Sequence, residues 1–120
     1  MKKLYIVKSQ RDFNNIIKVG QIFKNKSFII YKKSNELPYS RYGISVGKKL
    51  GNAVYRNKYK RKIREIINNY QKKYINSNDY IIILRGNAKN KNYHELNEDF
   101  LYLMDKTRKG LKNEEKIKQI

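Results

Sequence analysis

DYIIILRG, residues 79–86, sets Tyr80 through Leu84 as an unbroken apolar run between Asp79 and the Arg85-Gly86 pair. A continuous run this short has the pattern of a strand covered on both faces, which places it inside a sheet. Working outward, RYGISVGKKLG at 41–51 puts Tyr42, Ile44 and Val46 on one side and Gly43, Ser45 and Gly47 on the other. That alternation predicts a strand whose second face is kept small, leaving room for something to lie close against it. QIFK at 21–24 and SFIIYKK at 27–33 are two further β-rich runs around Asn25-Lys26, followed by a polar loop holding the only proline, Pro38. Before them, Ser9 can cap a helix over about 10–19, with Asp12 returning the bond, Phe13, Ile16 and Ile17 on one face and Gly20 as the stop. After the central run, Tyr93, Leu96, Phe100, Leu103 and Met104 repeat at helical spacing from Asn92 until Gly110. With the helix between residues 48 and 74, the order is αβββαβα: an α+β, two-layer sandwich with helices against one four-stranded sheet.

The 120 residues form one domain, 1–120, with a polar tail from about 110 expected to be flexible. Leu, Ile, Val and Phe make up 27% of the chain, enough for a modest core. Against that core stand 29 Lys or Arg and only 10 Asp or Glu, a formal charge of +19. Charge of this density on so small a body is self-repelling, so the balance is expected to come from a polyanion. Nucleic acid fits better than a membrane, because the charge sits among tyrosines rather than opposite a bulky apolar face. The absence of cysteine excludes disulfides and thiolate metal sites, and the single histidine, His94, excludes paired-histidine chemistry. The basic start MKKLYIVKSQ has no apolar run of signal-peptide length, and no stretch approaches a membrane span. These features predict a cytoplasmic protein with no membrane partner.

Between Lys48 and Arg64 lie eight Lys or Arg and no acid. On a helical projection Tyr59, Ile63, Ile66, Ile67, Tyr70 and Tyr74 fall within an arc of about 100 degrees, the expected core face. Asn57, Lys58, Lys60, Arg61, Lys62 and Arg64 occupy the remainder, and Arg56 falls at the edge of the core arc in the opening turn. Cations at the N-terminal end of a helix oppose its dipole at about 0.3 to 1 kcal/mol each, so stability did not select them. Three of the seven arginines stand at 56, 61 and 64 in a chain otherwise dominated by lysine, which favours forked or stacking contacts to phosphate and base.

KKLGNAVYRNKYKRKIRE, residues 48–65, closely resembles the signature of the bacterial ribonuclease P protein component, whose core reads Arg-Asn-Arg-x-Lys-Arg-x-x-Arg. Arg56, Asn57, Lys60, Arg61 and Arg64 match it position for position. GISVGKKLGNAV and DYIIILRG are similar to the family as well, and the element order agrees from about residue 4 to 106. The resemblance implies a left-handed crossover between the third and fourth strands, an exception to the usual hand. It implies a subunit of a ribonucleoprotein endonuclease, a hydrolase in which RNA is the catalyst and no catalytic residue is expected from the protein. The RNA-contacting positions carried over are Arg56, Asn57, Lys58, Lys60, Arg61 and Arg64, with Lys48 and Lys49 beside them. Phe13 and Tyr31, with Ile17, fall at the positions of a cleft that holds the single-stranded 5′ leader of precursor tRNA. The implied partners are the catalytic RNA and precursor tRNA. No cofactor is expected on the protein alone, magnesium is expected in the ribonucleoprotein, and anions are expected to bind the free protein.

The chain departs from the family at three places. Lys58 replaces the third arginine and loses its fork, Ile17 stands where a second aromatic is common, and Ile6-Val7 where a basic residue precedes leucine. Gly43, Ser45 and Gly47 either admit RNA close to the sheet or serve as bulge and turn residues. A small ribosomal protein would share the charge and fold style but has no need of a leader cleft. A protein-only nuclease is disfavoured because the ten acids are scattered.

Overall fold

The computed structural model describes residues 5–74 and 76–109, and the tail from about 110, with Gly110, lies outside the described residues. Helix α1 (Gln10–Val19) leads into strands β1 (Gln21–Lys24), β2 (Phe28–Ser34) and β3 (Arg41–Val46), then helix α2 (Ala53–Lys73), strand β4 (Asn78–Leu84) and helix α3 (Tyr93–Lys109). The α+β class and the order αβββαβα are those the hydrophobic pattern predicts. One turn of 3-10 helix, Lys48–Leu50, joins β3 to α2.

The sheet order is β1-β2-β4-β3, so the run at 79–86 is indeed an interior strand. β1, β2 and β4 pair antiparallel, while β3 runs parallel to β4 and is joined to it through α2. Alternation along the strands divides their side chains between two faces. Phe28 and Ile30 of β2 and Tyr80, Ile82 and Leu84 of β4 enter the main core with Ile63, Ile66 and Ile67 of α2 and Phe100 and Leu103 of α3. Tyr42 and Tyr80, register partners across the parallel pair, stack with centroids 5.1 Å apart. The opposite face carries a smaller cluster of Val7, Ile16 and Ile81, covered by α1. The layer formed by α2 and α3 is therefore complemented by a partial layer on the other side, as the unbroken apolar run of β4 requires.

The helix ends follow local chemistry. Ser9 Oγ accepts the Asp12 N–H at 3.0 Å, but the Asp12 carboxylate, instead of returning the bond, lies 3.8 Å from Arg41. Asn92 and Glu95 form the reciprocal box at the start of α3, each side chain accepting the other's backbone N–H. Asn52 Oδ1 caps α2 by accepting from Val54 and Tyr55. Tyr74, placed on the core arc by projection, is instead the residue that ends α2; it is 38% exposed and takes the Arg108 guanidinium 3.9 Å from its ring centroid. The helix stops before Tyr74 can complete the stripe, so the projection overran the element by one residue.

Candidate nucleic-acid interface

Because β3 and β4 are parallel neighbours, α2 must run back along the sheet, which puts its basic first turns beside the C-terminal end of β3. Tyr59, Ile63, Ile66, Ile67 and Tyr70 are buried against the main core, turning the rest of the helix outward. Lys48, Lys49, Asn57, Lys58, Arg61 and Arg64 are exposed, and Arg56 and Lys60 are half-buried. The eight cations from Lys48 to Arg64 make no ion pair among the described residues. Lys58 and Lys62 lie 5.6 Å from the ring centroids of Tyr55 and Tyr59, respectively. Arg56 Nε is buried and has no hydrogen-bond partner among the described residues. A protein that used these charges for its own stability would pair them with acids. Three of the aspartates are engaged elsewhere: Asp79 with Arg41, Asp99 with Lys91, Asp105 with Arg108 and Lys109.

The second group of sequence-predicted residues lies on the other face of the sheet. Phe13, Ile17 and Tyr31 are half-buried and pack on the cluster of Val7, Ile16 and Ile81. Register explains why they are only half covered. The row Ile22–Tyr31–Ile81–Gly43 runs across all four strands, and α1 crosses it, with the Phe13 ring over Gly43. The next row, Lys24–Ile29–Ile83–Ser45, has Ile29, Ile83 and Ser45 half-buried and Lys24 exposed. An apolar shelf is thereby left beside α1, rimmed by a cation at one edge and a hydroxyl at the other. Sequence alternation placed Ser45 on this face, but the contribution of Ile29 and Ile83 follows only from the strand register.

The small face of β3 is occupied by the protein itself at one of its three positions. A Cβ on Gly43 would stand 2.9 Å from Ile81 Cδ1 and 3.0 Å from Phe13 Cε2, so the bare glycine lets α1 seat this closely on the sheet. At Gly47 nothing lies within 4 Å of the corresponding point. The N-terminal segment adds to this packing: Ile6 bridges in parallel to Tyr42, and the Val7 N–H donates to the Tyr42 carbonyl at 3.1 Å. Val7 is thus a core position.

A third row, Lys33–Asp79–Arg41, closes the N-terminal end of the cleft. Arg41 makes two hydrogen bonds to the Asp79 carboxylate, at 2.9 and 2.6 Å, and Asn35 adds a third at 2.8 Å. Burial pushes the Asp79 carboxyl up, but the hydrogen bonds from Arg41 and Asn35 and the Arg41 charge outweigh it and hold the group below its ordinary value. This row is a neutralised clamp that ties α1, through Asp12, to the sheet.

No group of three or more His, Cys, Asp or Glu able to hold a metal ion forms among the described residues. No helix among them is long and apolar enough to cross a membrane.

The sequence model of the Ribonuclease P family matches residues 1–108. The ribonuclease P protein component of Streptococcus pneumoniae (strain Hungary19A-6) is 39% identical over 104 residues, covering 87% of this chain and 85% of that protein. Among solved structures, a Staphylococcus aureus RNase P protein mutant with defective mRNA degradation activity aligns with a TM-score of 0.82 at 37% identity, covering 88% of this chain and 90% of the other. The RNase P protein from Thermotoga maritima aligns with a TM-score of 0.76 at 31% identity, covering 82% and 93% respectively. The chain belongs to the bacterial ribonuclease P protein family, the protein components of an RNA-containing endoribonuclease that processes the 5′ ends of tRNA.

Proposed function

We propose that the two surfaces divide the work of the ribonucleoprotein. The basic face formed by Lys48, Lys49, Arg56, Asn57, Lys58, Lys60, Arg61 and Arg64 grips the catalytic RNA. The cleft of Phe13, Ile17 and Tyr31 holds the unpaired 5′ leader of precursor tRNA. The observation that carries this reading is the row of unpaired cations on α2, on the far side of the sheet from a half-open aromatic shelf. Cations without acids bind a phosphate backbone with counterion release, whereas an apolar shelf with aromatic rings stacks unpaired bases with little regard to sequence. Magnesium belongs, in this reading, to sites provided by RNA in the cytoplasmic holoenzyme.

Reconstitution tests it. The protein, the RNA subunit of a bacterial ribonuclease P and a precursor tRNA are mixed at low magnesium, and each macromolecule is assayed alone. Cleavage is expected from the mixture only, with selective affinity for the 5′-extended over the mature tRNA. Equal affinity for both tRNAs would remove the leader cleft from the account. Anions should also bind the free protein: with +19 to neutralise, sulfate is expected to raise its helical circular dichroism at low salt. A spectrum insensitive to sulfate would refute that part.

A further inference from the structure

The opening turn of α2 exposes two large apolar side chains, Val54 at 62% and Tyr55 at 55%. Tyr59, one turn later, shows what a structural tyrosine looks like in this helix: it is 9% exposed and its hydroxyl accepts the Asn90 N–H. Tyr55 has neither feature, and the core is complete without it.

Its position is nevertheless held. Asn52 accepts the Val54 and Tyr55 N–H groups at 3.0 and 3.2 Å, fixing the turn. Gly51 adopts φ +123°, and a Cβ there would fall 3.0 Å from Tyr55 Cβ and 3.3 Å from its Cδ2. The glycine backbone therefore runs alongside the ring. Lys58 Nζ stands 5.6 Å from the ring centroid. An exposed aromatic ring beside Lys58 thus stands in a stretch of chain that runs from Lys48 and Lys49 through Arg56 and Lys58 with no acid before Glu65.

From this we infer that Tyr55 is a stacking platform for an unpaired nucleobase of the catalytic RNA. The inference rests on the proposal that the basic face of α2 binds that RNA. The surrounding cations draw in the phosphate backbone, and the ring supplies what they lack, an apolar surface for a base. The base must be unpaired, because a base inside a duplex has both faces occupied. A stacked ring is neutral and releases no counterions, so its contribution to binding is independent of salt, unlike that of its neighbours.

The experiment uses the full chain and the RNA subunit of a bacterial ribonuclease P, with binding measured across a salt series. Tyr55→Ala should weaken binding roughly 5- to 150-fold, the range for losing one stacked base, with the salt slope unchanged. Tyr55→Phe should bind as the unsubstituted protein does. The chain has no tryptophan, so Tyr55→Trp introduces a single indole, whose emission should be quenched when the RNA is added. Arg61→Ala serves as the control and should lower the salt slope. Normal binding by Tyr55→Ala beside a weakened Arg61→Ala overturns the platform and leaves the α2 reading standing. Normal binding by both overturns the α2 reading and the platform with it. A Tyr55→Ala variant that lowers the slope as Arg61→Ala does would make the ring only a support for Lys58, and would likewise overturn the proposal.

Discussion

Gly43→Ala is the sharpest probe of how α1 meets the sheet. The added methyl would stand 2.9 Å from Ile81 Cδ1 and 3.0 and 3.1 Å from two atoms of the Phe13 ring, so something must move. Ile81 is fully buried in an interior strand and has nowhere to go, whereas Phe13 is half-buried and can tilt outward. The strain is relieved by displacing the ring rather than the sheet, which puts the cost near the lower end for overpacking, about 1 to 2 kcal/mol. For a domain of this size that corresponds to a fall in melting temperature of roughly 5 to 10 °C. The second consequence is functional: a displaced Phe13 should reduce the preference for 5′-extended over mature tRNA while leaving affinity for the catalytic RNA, on the other face, unchanged. Thermal melts report the first effect and paired tRNA titrations of the reconstituted enzyme the second. Phe13→Ala removes the obstacle, so the double variant should melt above the sum of the two single losses. Strict additivity, or a Gly43→Ala protein with unaltered melting and leader preference, would refute the seating of Phe13 over Gly43.

Arg61→Ala and Arg64→Ala should each weaken binding to the catalytic RNA and lower the slope of log affinity against log salt by roughly 1; unchanged slopes would place both side chains off the phosphates. Asp79→Asn strips Arg41 of its buried carboxylate partner and should destabilise the neutral-pH protein by about 1 to 3 kcal/mol. Because Asp79 is held below its ordinary value, its contribution is full above the unfolded carboxylate pKa of about 4 and is lost as pH falls through the folded one. Denaturant titrations of the two proteins should therefore converge in acid, and a gap that widened there would contradict the assignment. Asn52→Asp should keep the cap and gain about 0.3 to 1 kcal/mol from the helix dipole, yet bind catalytic RNA more weakly because it puts an acid beside the cations. Tighter RNA binding by that variant would overturn the interface.

Most of the fold was readable because its signals are local. The unbroken run of β4, the alternation of β3 and the heptad-like spacing of α3 each bury a face that sequence spacing alone defines. The basic residues of α2 were equally plain, since a helix that buries Tyr59, Ile63 and Ile67 has only one outward side. What spacing could not supply was register. Ile29 and Ile83 join the shelf only because β2 and β4 pair as they do, and the division of helices between faces depends on which strand each crosses. Gly43 was rightly marked as a point of close approach, but its occupant is Phe13, thirty residues earlier, a contact no local pattern encodes. Tyr55 passed unremarked because a projection rewards residues on the core arc and is silent about an exposed ring.

The two faces of the sheet are built to different standards, and the difference suits the proposed division of work. The face under α2 and α3 is filled by fully buried side chains such as Phe28, Ile30, Ile82 and Phe100. There, stability can offset cations that oppose the α2 dipole, each at about 0.3 to 1 kcal/mol. Among the described residues, the face under α1 buries a small apolar cluster of Val7, Ile16 and Ile81 and leaves Tyr31 and Ile83 half-buried. At about 25 cal/mol per Å2 of apolar surface, completing that second core would have added stability. It would also have closed the shelf. With the stable core placed behind α2, the chain can leave the opposite face half open, and in the reading proposed above an unpaired strand of RNA completes it.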